Sequence, residues 1–292
     1  MTAAAEFQSG KGHRDENFPV ASFLIRRRHR PVIHAFYRFA RAADDVADHP
    51  TASPEEKLNL LQEMDRTLTG ELDSAPEALA LRRVLDERRL SAQHGMMLLE
   101  ALRRDVTKLC YVSWEELMDY CRYSAMPVGR FVLDVHGESR DTWPAGDALC
   151  AALQVINHLQ DCVKDYRVLN RVYIPQDAMA AAGARVEELS ADTASSALRR
   201  VLSDLAQRTE RLLEEARPFA GQIRDRRLAF EVTVIQRLAE DLAAKLMRCD
   251  PLCERVHHRK ADLVPLLLRA TARFARTRFS RDRRNLTLGH SP

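Results

Sequence analysis

Glycine and proline, the residues that most disfavour helix interiors, are scarce here: 10 and 12 among 292 residues. Their scarcity, beside plentiful Ala, Leu, Arg and Glu, leaves room for long helices. The few glycines do not cluster. Gly95, Gly129 and Gly137 stand alone, so there is no glycine-rich phosphate loop or dinucleotide fingerprint and no basis for a nicotinamide cofactor. HExxH and GxSxG are also missing. No run of about 20 apolar residues occurs, so no helix is expected to span a bilayer. The opening stretch, MTAAAEFQSGKGHRDE, lacks the basic segment and apolar run of a signal peptide. The six cysteines form no CxxC pair. Cys249 and Cys253 lack a second cluster to complete a zinc site, so the thiols read as free, in a reducing cytosol. Charge of either sign is not in excess: 45 basic residues face 42 acidic ones, too balanced for nucleic acid as a partner.

What is present is helical patterning. Apolar residues make up 46% of the chain and charged residues 30%, enough for a sizeable core and a solvated exterior. Val32, Phe36, Phe39, Ala43 and Val46 step by four and three along one helix face, with Pro31 where a first turn tolerates it. Ser53-Pro54-Glu55-Glu56 reads as an N-cap, a first-turn proline and a capping-box glutamate, and Ser113 to Glu116 repeats the logic. A long helix is expected after Pro144 to about Tyr166, and later ones near 192–217, 222–249 and 254–275. No convincing strand and no repeat appears. The expected organisation is a disordered segment 1–14, one helical domain 15–275 and a basic tail 276–292. The arginines near the end, with Phe274 and Phe279 between them, read first as a solvated helix terminus and second as a contact with anionic lipid.

Two acidic clusters carry the chemistry. In Asp44-Asp45-Val46-Ala47-Asp48, helical spacing puts Asp44 and Asp48 on one face, with Arg41 and Tyr37 extending the stripe. Carboxylates at that spacing repel, so a cation must offset them. The plain alternative is an ion-pair patch with Arg41 and Arg38. The second cluster places Asn157, Asp161 and Asp165 at i, i+4 and i+8 beside an apolar face of Leu149, Leu153, Ile156 and Val163. A second acidic stripe on a mostly apolar helix is hard to explain as solvated surface. Two facing stripes suit a magnesium–diphosphate site. His158, beside the second stripe, reads as a packing or hydrogen-bonding residue. Between the clusters, Pro127 inside a helical pattern predicts a bend. Gly129 removes bulk just after it, and Tyr123 and Ser124 would line the space so made, or simply a kinked core helix.

Asn17-Phe18-Pro19, the run Phe36 to Asp45, the run Tyr120 to Gly129, and the stretch from Asn157 to Tyr173-Ile174-Pro175 together resemble the squalene and phytoene synthase family, over about residues 17–250. The resemblance implies an all-α isoprenoid synthase fold, a single helical domain with a central apolar cavity. It implies that Asp44, Asp45, Asp48, Asp161 and Asp165 hold Mg2+ and diphosphate. By the same resemblance Arg41 binds diphosphate and Tyr37 is a cavity tyrosine. Tyr123, and less directly Tyr120, matches the tyrosine of proton or cation chemistry, and Arg171 and Tyr173 match a pair that closes over the diphosphate.

Three departures are similar to the hydroxysqualene-forming branch of bacterial hopanoid clusters: Asn17-Phe18-Pro19 at the start, Gln160 where most members have arginine, and the Ser124 to Gly129 kink. The implied reaction ionises presqualene diphosphate and captures the cation with water. Phe18, Tyr37 and Tyr123 would stabilise the cation, and Asn157, Gln160 or Ser124 would position the water. The alternatives are condensation of two prenyl diphosphates head-to-head, or a non-catalytic scaffold, against which both intact motifs speak. The expected partner is a prenyl diphosphate, met from the cytoplasm or at the inner membrane surface, with other hopanoid-pathway enzymes as further contacts.

Overall fold

The computed structural model describes residues 25–288, with side chains described for 25–259 and 261–276. The expectations for the segment 1–14 and for Phe18 lie outside these residues. Twelve α-helices follow one another among the described residues: α1 (Arg30–Ala47), α2 (Pro54–Thr69), α3 (Pro76–Arg88), α4 (Gln93–Thr107), α5 (Trp114–Ser124), α6 (Met126–His136), α7 (Trp143–Leu169), α8 (Gln176–Ala182), α9 (Ser196–Glu215), α10 (Phe219–Gln222), α11 (Arg226–Leu246) and α12 (Lys260–Leu288). No strand occurs among the described residues. Extended pairing there is a single parallel bridge between Cys110 and Val172. None of the described helices is long and apolar enough to cross a membrane. The expected boundary at 275 falls inside α12.

The helix starts follow the sequence signals. The Ser53 hydroxyl accepts from the Glu56 amide at 3.2 Å, and the Glu56 carboxylate accepts from the Ser53 amide at 2.7 Å. Each bond satisfies a donor that the first helical turn leaves open. Pro31 enters α1 in its first turn, with His29 as N-cap. Helix α7 ends at Asn170, which adopts a left-handed φ of 52°. Asparagine tolerates that conformation better than most residues, so the chain can turn sharply into 171–177.

Two apolar clusters build the core. One joins α1, α2, α3 and α4 around Phe39, Leu61, Leu81 and Leu99. The other surrounds α7 with α5, α8, α9 and α11, around Ile156, Leu159, Leu202 and Leu242. Helix α6 bridges them: Phe131 stacks on Phe36 of α1, ring centres 4.0 Å apart, while Leu133 belongs to the second cluster. Pro127 breaks the chain between α5 and α6 at Ala125, as its spacing predicts. It has no amide hydrogen, and its ring would strike the Tyr123 carbonyl in a continuous helix.

Gly129 then lets α6 lie close on α7, because a methyl group there would run into the Sγ of Cys150. Gly129→Ala should lower stability by a net ~1–2 kcal/mol despite its better helix propensity. In a Cys150→Ala background that loss should shrink. Urea unfolding of the four proteins checks this, and an identical loss in both backgrounds would rule out the contact.

Candidate active site

A hollow opens between the two clusters. Its inner part, about 340 Å³, is walled by apolar side chains including Ile33, Phe36, Leu149, Leu153, Val232 and Ile235. A second part of about 210 Å³ is polar, with Arg41, Asp44, Asp105, Tyr120, Ser124 and Gln154 on its wall. Tyr37, Ala40 and Val128 border both. One stripe of α1 serves the whole length: Ile33, Tyr37, Ala40, Arg41 and Asp44 follow at helical spacing and change from apolar to charged along the axis.

The first acidic row sits at the charged end. Arg41 donates to Asp44 at 2.9 Å and to Asp45 at 2.8 Å. Asp44 keeps 41% of its side-chain surface open while lining the polar hollow. Its carboxyl is pushed up to about 7 by desolvation and by repulsion from Asp48, Asp105 and Asp45, against the pull of Arg41. Asp48 caps α1 and takes a 2.6 Å ion pair from Arg171. Asp45 differs from its neighbours. It is buried and engaged by Arg41, whereas Asp44 and Asp48 both keep side-chain surface open, so exposure favours those two over Asp45 as ion ligands.

The second row lies on α7. Asp161 makes no hydrogen bond or ion pair with any described residue. Burial and the neighbouring Asp165 hold its carboxyl above the usual range, while Lys164, His257 and His158 pull it down. Asp165 is buried, 3.6 Å from Nδ1 of His158. His158 has the packing and hydrogen-bonding role expected of it. Its ring stacks on Tyr173 with centres 3.6 Å apart, and its Nε2 lies 3.0 Å from the Gln154 amide.

The rows are joined by a buried acid on α4 that the sequence reading missed. Asp105 accepts from the hydroxyls of Tyr120 at 2.7 Å and Tyr173 at 2.8 Å. Burial raises its carboxyl, and Arg171 and the two hydroxyls offset part of that. Both tyrosines are driven well above their ordinary range, chiefly by burial, so each remains a hydroxyl donor. A signal was available: Leu98, Ala101, Leu102 and Asp105 step by three, one and three, which puts an acid on an otherwise apolar stripe.

Arg171 and Tyr173, expected to close over the diphosphate, are both buried. Arg171 is buried, with Nε on the Asp105 carbonyl, Nη2 on the Ala47 carbonyl and Nη1 on Asp48, so its guanidinium fastens α1 from beneath. Tyr123 is not on the cavity wall. The Arg104 guanidinium lies 4.1 Å over its ring, and Tyr120 takes the cavity position instead. Asn157 and Gln160 also lie off the wall, where Gln154 represents α7. The Gln160 amide donates to the Val256 carbonyl, in the connection between α11 and α12. Tyr37, Arg41, Asp44 and Ser124 line the hollow as expected.

No three metal-binding side chains converge among the described residues. The donors at hand are all oxygens, and the crowding that raises Asp44 is what a bound cation would relieve.

Helices enclosing an apolar hollow, with Asp44 and Asp105 on its polar wall and a second aspartate row on α7, are the arrangement of an isoprenoid synthase type of protein. The squalene/phytoene synthase family model matches residues 12–262, and the chain belongs to that family. Among curated proteins it is 56% identical to a hydroxysqualene synthase of Zymomonas mobilis, over 92% of this chain and 91% of that one. It is 55% identical to a hydroxysqualene synthase of Rhodopseudomonas palustris, over 90% of each. Among solved structures it resembles a squalene synthase of Alicyclobacillus acidocaldarius, with TM-score 0.69 and 33% identity, over 78% of this chain and 87% of that one.

Tyr120→Phe and Tyr173→Phe should each lower stability by about 1–2 kcal/mol, since each strips a donor from a buried acid. Because the two share one acceptor, the double variant should depart from the sum by at least about 0.5 kcal/mol. Additive losses in denaturant titrations would refute a shared role at Asp105.

Proposed function

We propose that this protein converts presqualene diphosphate and water to hydroxysqualene and diphosphate. The observation that carries the proposal is identity above one half, over nine-tenths of the chain, to two curated hydroxysqualene synthases. The site supports it. Asp44, Asp48, Asp161 and Asp165 would hold Mg2+, which when bound neutralises the departing diphosphate. Arg41 adds a fixed positive charge beside the first row. Carbon chains would fill the apolar part, whose walls exclude bulk water while a carbocation exists. Tyr37 and Tyr120 line the hollow, where an aromatic face would stabilise that cation without attacking it. Of the three side chains proposed to position water, Ser124 has the best placement. Its buried Oγ makes no hydrogen bond among the described residues and lies at the polar wall, close to where ionisation would occur.

The second reading, head-to-head condensation of two prenyl diphosphates, draws support from the likeness to the Alicyclobacillus squalene synthase. One experiment separates the two. Purified protein is incubated with Mg2+ and no reductant, with presqualene diphosphate in one arm and farnesyl diphosphate in the other. Hydroxysqualene should form from presqualene diphosphate. Turnover of farnesyl diphosphate alone would sink the proposal. Asp161→Asn should reduce turnover on the order of a hundredfold or more with an unchanged melting temperature.

A further inference from the structure

Helix α12 presents an apolar face that nothing in the described fold covers. Four of the nine exposed large apolar side chains among the described residues fall within six positions of it: Leu263, Val264, Leu267 and Leu268, the second and fourth 64% and 67% exposed. The opposite side of the helix is well anchored. Leu266 and Ala270 are buried, Phe274 packs edge-on to Phe230 of α11 with ring centres 5.3 Å apart, and Arg273 pairs with Glu240 at 2.6 Å. The helix is therefore fixed to the body with its apolar stripe outward, which is an orientation and not a frayed end. Isolated exposed leucines need no explanation, but a contiguous row on one helix does.

Charge indicates what covers it. Between positions 255 and 284 ten basic residues stand against two acidic ones, in a chain that is otherwise nearly balanced. Arg255 and Arg259, just before the stripe, are exposed, and so is Arg269 just after it. A second copy of the chain would bring like charges together. Four side chains also fall short of the roughly 800 Å² per partner that a stable dimer buries. An apolar row bordered by arginines matches a bilayer surface carrying anionic headgroups. The row enters the interface and the arginines meet the negative charge.

We infer that the outer face of α12 around Leu263–Leu268 is a docking surface for an anionic membrane. The inference is independent of which reaction the cavity performs. It is tested with the full-length protein and sedimenting vesicles, of phosphatidylcholine alone or mixed with phosphatidylglycerol, at low and high salt. Binding is expected to the mixed vesicles at low salt, weakening as salt screens the arginines. Val264→Gln with Leu268→Gln should weaken that binding on the order of tenfold, with melting temperature and solution mass unchanged. Absence of binding to phosphatidylglycerol vesicles overturns the inference. So does wild-type binding by the folded double variant. A wild-type dimer that the double variant converts to monomer overturns it as well, because the face would then belong to a second copy.

Discussion

The carboxylate of Asp105 holds the site together, although it belongs to neither aspartate motif. An ionised group in a protein interior costs several kcal/mol unless it is met by charge and hydrogen bonds. Here two tyrosine hydroxyls and the nearby Arg171 guanidinium meet it. Arg171 in turn grips the Ala47 carbonyl and Asp48, the end of α1. Tyr173 stacks on His158, which faces Asp165 on α7. Helices that bury their apolar faces in separate clusters are thus tied by one polar network at the level where their acids emerge. Such networks rigidify when every member is satisfied and fail when one is lost.

The network also explains why the chain turns sharply after α7. Residues 171–177 must deliver Arg171 and Tyr173 to the interior within a few positions of the Asp165 side chain. The left-handed Asn170 begins the turn. The amides of Val172, Gln176 and Asp177 then bond to the carbonyls of Leu109, Tyr111 and Val112, which pins the segment beside the start of α5. The isolated bridge at Cys110 and Val172 is therefore the anchor of the site's floor and not a vestige of a sheet.

The helical periodicity, the capping box at Ser53, the Pro127 break and the stripe of α1 from Tyr37 to Asp44 were all legible, because each depends on local spacing. The side-chain placements that local spacing leaves open depend on rotation and depth. Tyr120 and Tyr123 lie three positions apart on one helix, and only packing against α4 decides that Tyr120 meets Asp105 while Tyr123 lies under Arg104. Asp44 and Asp45 are adjacent, yet one lines the hollow and the other is buried against Arg41. The family resemblance implies that Arg171 closes over the diphosphate together with Tyr173. The structure spends its donors on Asp48 and two carbonyls, contacts separated by 66 positions or more in sequence. No window of local spacing contains them.

Position 160 shows the same coupling of chemistry to tertiary structure. Where the family resemblance leads one to expect arginine, Gln160 carries no charge, and its amide holds the Val256 carbonyl instead. That bond draws the connection between α11 and α12 against α7, one residue from Asp161 on one side and one residue from His257 on the other. His257 in turn is among the groups whose charge favours the ionised form of Asp161. Glutamine brings no charge to the second row, and the connection it holds leads directly into α12 and its exposed apolar row.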